Sequence, residues 1–389
     1  MAVIAPTAAP APGPLVAPPG LKGLVVADTS IGDVRGEEGF YHYRQYDAVE
    51  LAMHRSFEEV WALVVDGALP DSDAAAAFAR ATAARRALPA AVLEALAAVA
   101  APGVAPLDGL RTGLSLLAAH LQLQPLLDLD PAERRRDGLA LAAATPTVMA
   151  ALHRLGRGQE PIPPDPALGH AANLLWMLHG RRPDPVHARA LERYLISTID
   201  HGFNASTFTA RVIASTGADL GACVVGALGA LSGPLHGGAP SRALDLLDEI
   251  GEPERAADVV RAKLAAGERI MGFGHAVYRT DDPRSVMLRG VARQLGGPLV
   301  TLAEATEEVV VRVLDEARPG RRLRANVEWY AGVVMEACGV PRDLFTATFA
   351  CSRVVGWCAH ALEQAADGRI LRPSARYVGP APSRGSGTR

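Results

Sequence analysis

Ser56-Phe57-Glu58-Glu59-Val60-Trp61-Ala62-Leu63-Val64-Val65-Asp66-Gly67 decides the fold class. Phe57, Val60, Trp61, Val64 and Val65 recur at i, i+3, i+4, i+7 and i+8, a spacing that lays one apolar stripe along an α-helix. Ser56 with Glu59 makes a capping box at its start, Gly67 supplies a left-handed stop, and Pro70 follows. The same period predicts helices over 73–87, 89–100, 107–121, 131–155, 168–178, 186–199, 205–215, 219–231, 241–250, 252–265, 284–295, 303–317, 327–338 and 343–365. The expected class is therefore all-α. Helix propensity and packing are enough to explain the alanine-rich face between Ala74 and Ala101. Towards the N-terminus the pattern changes. Leu24-Val25-Val26, Gly32-Asp33 and Phe40-Tyr41-His42-Tyr43 alternate apolar and polar residues around a Gly/Asp-rich middle, which predicts a short β-hairpin within 23–43.

With 389 residues, 49% of them hydrophobic and 21% charged, the chain has ample apolar surface for one or two large cores. A formal net charge of -3 argues against a polyanion-binding surface, so nucleic acid is not an expected partner. Cys223, Cys338, Cys351 and Cys358 form no C-x-x-C pair, which fits buried thiols in a reducing, cytoplasmic setting. The eleven histidines include no H-E-x-x-H and no His/Cys cluster at metal-ligand spacing, so a metal is not expected; no permanently bound cofactor is expected either. Met1 to Pro19 is Ala/Pro-rich without the basic and apolar regions of a signal peptide, and reads as a disordered lead. No run of about 20 apolar residues is present to span a membrane.

The chemistry concentrates in Gly272-Phe273-Gly274-His275-Ala276-Val277-Tyr278-Arg279-Thr280-Asp281-Asp282-Pro283-Arg284. Its glycines permit close approach to a ligand, and Arg279 and Arg284 offer planar forks for carboxylate or phosphate beside a histidine. Two further segments add a histidine and a carboxylate: Ser232-Gly233-Pro234-Leu235-His236-Gly237-Gly238-Ala239 and Asn326-Val327-Glu328-Trp329-Tyr330-Ala331-Gly332. A fourth is His201-Gly202-Phe203-Asn204-Ala205-Ser206-Thr207. Arg353 stands in an otherwise apolar predicted helix, where an unpaired charge is costly and an anionic ligand explains it better than a solvated face.

In order and spacing these four segments resemble the citrate synthase family, and the resemblance runs from about Gly20 to Pro380. It implies a large helical domain from 20–237 and 340–389, with a smaller helical domain, 238–339, inserted between its two parts and the active site in the cleft. It implies a homodimer whose clefts borrow residues from the neighbouring subunit, and the expectation is a member without the extra N-terminal domain of the hexameric ones. It implies condensation of acetyl-CoA, as co-substrate, with oxaloacetate and water to give citrate and CoA. Glu328 would be the base, His236 would hydrogen-bond the enol oxygen, and His275 would polarise the ketone. His201, Asn204, Arg284, Phe349, Arg353 and Arg372 would hold oxaloacetate, with Arg372 reaching into the partner's site. For CoA the resemblance points to Ile270, Met271, Gly272, Phe273, Gly274, Ala276, Arg279 and Asn326. The run Arg318-Pro319-Gly320-Arg321-Arg322-Leu323-Arg324 either adds charge near the phosphates or is a solvated basic turn. Asn204 and Thr207 also fit a helix cap, and Glu328 an ordinary first-turn acid.

The match departs from the family at four places. Glu328 stands where aspartate is commonest, Pro240 where the His-Gly-Gly-Ala motif continues with Asn, Gly202 where Glu follows the first histidine, and Gln45 in a Tyr-Arg-Gly-Tyr pattern. The extra methylene of Glu328 displaces the carboxylate by about 1 Å, enough to cost on the order of 100-fold if the backbone does not compensate. Rival readings are a 2-methylcitrate synthase acting on propionyl-CoA, a catalytically weak or inactive dicarboxylate or acyl-CoA binding paralogue, and a citryl-thioester lyase.

Overall fold

The computed structural model describes residues 15–234, 236, 240–275 and 277–382. It divides into two units, Met1–Asp28 with Ile370–Arg389, and Thr29–Arg369. Most of the lead expected over 1–19 lies outside the described residues. The described part of the first unit is irregular and largely exposed, apart from a single 3-10 turn at Pro19–Leu21.

The second unit opens with a three-stranded antiparallel sheet, β1 (Gly32–Arg35), β2 (Phe40–Tyr43) and β3 (Tyr46–Asp47), in that order. Gly32 pairs with Tyr43, Arg35 with Phe40, and His42 with Asp47. The hairpin begins later than the pattern indicated: Leu24 and Val25 are 45% and 81% exposed and pair with nothing in a sheet, whereas Ile31 is buried. Tyr41 and Tyr43 alternate inward along β2, and their hydroxyls donate to the Ser197 and Ile196 carbonyls at 3.2 and 2.9 Å. That latch ties the hairpin to the segment leading into His201.

Sixteen α-helices follow among the described residues. α1 (Ala48–His54), α2 (Phe57–Asp66), α3 (Ser72–Ala83), α4 (Ala90–Val99), α5 (Pro106–His120) and α6 (Pro131–Leu155) come first. α7 (His170–His179), α8 (Pro185–Thr198), α9 (Ala205–Ala214) and α10 (Leu220–Leu231) precede α11 (Pro240–Ile250) and α12 (Ala256–Ala265). α13 (Pro283–Leu295), α14 (Pro298–Ala317), α15 (Val327–Ala337) and α16 (Phe345–Asp367) complete the order. The α2 cap forms as read, with Ser56 and Glu59 each satisfying the other's backbone N–H and Gly67 in the left-handed region. α14 starts five residues earlier than its apolar period, because Pro298 after Gly297 is a ready first-turn residue. α1 has no counterpart in the sequence reading: it is seven residues long, and its start depends on the Asp47 carboxylate accepting from Val49 and Glu50 N–H.

α16 is the centre of the core. It is apolar on nearly every side and packs against α2, α6, α8, α9 and α10, as a fully buried helix must. α15 is packed by α11 and α13. Three arginines, Arg211, Arg284 and Arg353, are nevertheless 2–3% exposed in this interior. No helix among the described residues is long and apolar enough to cross a membrane.

Candidate active site

His201 follows α8 in the turn that leads into α9. Asn204 caps α9, its side-chain oxygen accepting from the Thr207 N–H at 3.1 Å, so the capping role is realised while Asn204 also lines a cavity. Gly202 has φ +64°, and a side chain there would meet Val34 of β1 at 3.2 Å, which accounts for glycine at that departure from the family pattern. His201 Nε2 pairs with the Tyr278 hydroxyl at 2.9 Å. Burial first, then Arg284, Arg353 and His275, hold its imidazole well below the usual histidine range, hence neutral.

His275 is oriented by its own loop. Its Nδ1 accepts from the Val277 and Tyr278 N–H at 2.9 and 3.1 Å, so the ring proton sits on Nε2. Arg284 Nη2, which can only donate, lies 3.2 Å from that nitrogen. Two donors therefore converge where a ligand oxygen would accept from both. Burial, reinforced by Arg284, pushes His275 down to about 4, so it is a neutral donor at physiological pH.

Arg284 begins α13. Asp282 caps that helix and grips the guanidinium at 3.0 Å (Nε) and 2.8 Å (Nη2), while its second oxygen accepts from the Val327 N–H at 3.2 Å. Burial works against the Arg284 charge, and Asp282 more than offsets it. One carboxylate thus joins the loop of His275 to the start of α15, which carries Glu328. The strand-like contact of Phe273 with Ala325, and Asn326 Nδ2 donating to the Gly274 carbonyl at 3.0 Å, hold the same two segments together. Asn326 also caps α15 through the Glu328 N–H at 3.0 Å. Burial pushes the Glu328 carboxyl up to about 7, against the opposing pull of Arg284 and the Asn326 side chain.

His236 approaches from beyond α10. Its Nε2 faces the Ser206 N–H at 3.4 Å and the Ser206 hydroxyl at 2.8 Å. The amide can only donate, so Nε2 accepts and the ring proton falls on Nδ1. Burial, then Arg353, lower its basicity. Arg353 projects from α16, its Nε donating to the Thr198 carbonyl at 2.7 Å and its guanidinium lying 4.5 Å from the Phe349 ring centroid.

Two cavities meet at these groups. The first, about 470 Å³, is walled by His201, Asn204, Arg284, Phe349 and Arg353, and also by Asp33, Val34 and Tyr194, which the sequence reading missed. The second, about 570 Å³, follows Ile270, Met271, Gly272, Phe273 and Gly274, with Arg269, Arg318 and Leu323. His236, His275, Asn326 and Glu328 line both. Gly272, at φ +83°, has Trp329 Cε3 only 2.9 Å from where a Cβ would stand. Ala276, like Gly237-Gly238-Ala239, lies outside the described residues. Arg279 is exposed, 3.9 Å from Glu37, and lines neither cavity. Arg372 belongs to the terminal unit, where it too is exposed. Of the basic run, Arg318 lines the second cavity, Arg324 pairs with Asp315 at 2.9 Å, and Arg321 and Arg322 face solvent. The missed Asp282 had a signal: an Asp before Pro at a helix start is a capping residue.

The family model of the citrate synthase C-terminal domain matches residues 20–374. The chain belongs to the citrate synthase family. It is an acyltransferase of that family. The putative citrate synthase 2 of Mycobacterium tuberculosis is 41% identical over 94% of this chain and 93% of its own length. The 2-methylcitrate synthase of Shewanella oneidensis is 36% identical over 93% of this chain and 95% of its own. Among solved structures, the citrate synthase of Thermoplasma acidophilum, in ternary complex with carboxymethyl coenzyme A and oxaloacetate, superposes with a TM-score of 0.86 at 26% identity, covering 95% of this chain and 98% of that one.

Proposed function

We propose that this protein condenses acetyl-CoA with oxaloacetate and hydrolyses the resulting thioester to citrate and CoA. The observation that carries this reading is the wall of His236, His275, Asn326 and Glu328 shared by two cavities. One cavity is lined by guanidinium groups suited to a small dicarboxylate, and the other by open backbone and basic side chains suited to an acyl-CoA.

Glu328 takes a proton from the acetyl methyl group while His236, through Nδ1–H, donates to the thioester oxygen as the enol forms. A carboxyl poised near 7 is a far stronger base than an ordinary one yet still substantially ionised at neutral pH. The enol carbon attacks the keto carbon of oxaloacetate, whose oxygen takes up negative charge between the Nε2–H of His275 and the Nη2–H of Arg284. His201, Arg284, Arg353 and Arg372 hold the substrate carboxylates, with Phe349 and Asn204 shaping the pocket; Arg372 comes from a second copy in a homodimer. Water then attacks the citryl thioester, and CoA leaves as the thiol. The backbone from Ile270 to Gly274 contacts CoA, with Arg269 and Arg318 of the same cavity beside it, while Arg279, which lines neither cavity, would reach it only from outside. Closure of residues 238–339 on the remainder sequesters the intermediates from premature hydrolysis.

The Shewanella relative keeps a second acyl donor in view. An added methylene in an apolar pocket changes discrimination by about 1–3 kcal/mol, so propionyl-CoA is the competing substrate and 2-methylcitrate the competing product. Thiol release from each acyl-CoA, with and without oxaloacetate, decides between them by kcat/KM. Oxaloacetate binding without thiol release from either would support the inactive-paralogue reading instead.

A further inference from the structure

Tyr278 takes no part in the steps above, yet among the described residues its hydroxyl and His201 Nε2 hydrogen-bond only to each other, at 2.9 Å. Tyr278 is 4% exposed and lines neither cavity, so neither offers the hydroxyl a second partner. A buried O–H that does not donate is costly, and His201 Nε2 is the acceptor within reach. Tyr278 therefore donates and Nε2 accepts. Burial, with Arg284 and Arg353 nearby, keeps His201 neutral, so its single ring proton is on Nδ1. Nδ1 has no partner of its own among the described residues, while His201 lines the first cavity.

The rest of Tyr278 fixes where the hydroxyl stands. Its N–H donates to His275 Nδ1 at 3.1 Å, its ring centroid lies 4.8 Å from that of His275, and the Arg284 guanidinium sits over the ring at 5.9 Å. On either side the loop is seated on the turn between β1 and β2. Arg279 N–H donates to the Gly36 carbonyl at 3.1 Å, and a Cβ at Gly36 would stand 2.3 Å from the Val277 carbonyl oxygen. These contacts use backbone and ring and leave the hydroxyl with the single task of holding His201.

We propose that the Tyr278 hydroxyl sets the tautomer of His201, so that Nδ1–H is the donor offered to the dicarboxylate and the affinity for that substrate depends on it. The inference rests on the dicarboxylate reading of the first cavity. A carboxylate only accepts, so the opposite tautomer would present it with a lone pair. Without the hydroxyl the imidazole takes either form, and the substrate has to select the one that donates. Tyr278 acts through His201 and touches no reacting atom, so it is a positioning residue.

The test measures kcat, the KM for oxaloacetate and the oxaloacetate concentration that half-protects against thermal unfolding, in wild type, Tyr278→Phe, His201→Asn, His201→Gln and the double variant Tyr278→Phe/His201→Asn. Tyr278→Phe keeps the ring and should raise the KM about 2- to 10-fold, the range for one hydrogen bond, with a smaller change in kcat. His201→Asn places an amide N–H near the Nδ1 position, and His201→Gln places one near Nε2, so oxaloacetate should protect the Asn variant at the lower concentration. An amide has no tautomer to set, so adding Tyr278→Phe to His201→Asn should change neither KM nor protection. An unchanged KM in Tyr278→Phe, a fall in kcat alone, or an equal rise in KM in the His201→Asn background would overturn the proposal. So would tighter binding by His201→Gln than by His201→Asn, which would put the working donor at Nε2. A wild-type enzyme that oxaloacetate does not protect would instead remove the dicarboxylate reading, and the inference with it.

Discussion

His275 Nε2 and Arg284 Nη2 lie 3.2 Å apart, and both are hydrogen-bond donors. Neither can satisfy the other, because two backbone N–H groups already occupy His275 Nδ1 and the guanidinium has no lone pair to offer. The pair is built for a third party, an oxygen that gains negative charge during reaction.

His275→Ala should therefore lower kcat by about 100- to 1,000-fold, the usual loss for one donor to a developing oxyanion. Arg284 and Arg353 remain, so stabilisation of the variant by oxaloacetate in thermal unfolding should persist. Full turnover in His275→Ala would exclude it from the chemistry.

Glu328 gives two pH signatures of opposite sense. As the base it must be ionised, so kcat/KM should rise with pH through about 7, and Glu328→Gln should abolish that limb together with activity. Stability runs the other way. The folded-state value lies above the unfolded one, so between the ordinary carboxylate range and about 7 the folded protein holds a proton the unfolded chain has released. The contribution of this group is present at low pH and lost as pH rises through that window, and Glu328→Gln should flatten the corresponding slope in denaturant unfolding.

Asp282 neutralises a buried arginine, caps α13 and binds the first N–H of α15. Asp282→Ala should cost about 3–5 kcal/mol in urea unfolding, as expected when one partner of a buried ion pair is removed. Asp282→Asn keeps the cap and should cost less.

Gly272→Ala forces a Cβ into the left-handed region and against Trp329. A loss of about 1–2 kcal/mol in stability is expected from the backbone alone. Because the residue lines only the second cavity, the KM for acyl-CoA should rise more than the KM for oxaloacetate.

Much of this was legible before any coordinates. The Ser56–Gly67 punctuation produced its helix, and the four chemistry-bearing segments, spread from His201 to Glu328, converge on two adjoining cavities. Arg353 stood out as a charge in an apolar helix. The buried pair of Asp200 and His360 did not, because the two meet only through tertiary packing across 160 residues of chain. α1 escaped because seven residues show too little period, and the hairpin started late because burial at Ile31, not the apolar run at Leu24–Val26, marks where pairing begins. The contribution of Asp33 and Val34 to the first cavity depends on a hairpin latch through Tyr41 and Tyr43 that no local pattern announces.

The most direct test of the central claim is thiol release from acetyl-CoA by the purified wild-type protein and by Glu328→Gln, each with and without oxaloacetate. The account predicts release that requires oxaloacetate in wild type and disappears in Glu328→Gln while oxaloacetate still protects the variant against heat. Release that ignores oxaloacetate, or that survives intact in Glu328→Gln, would contradict it.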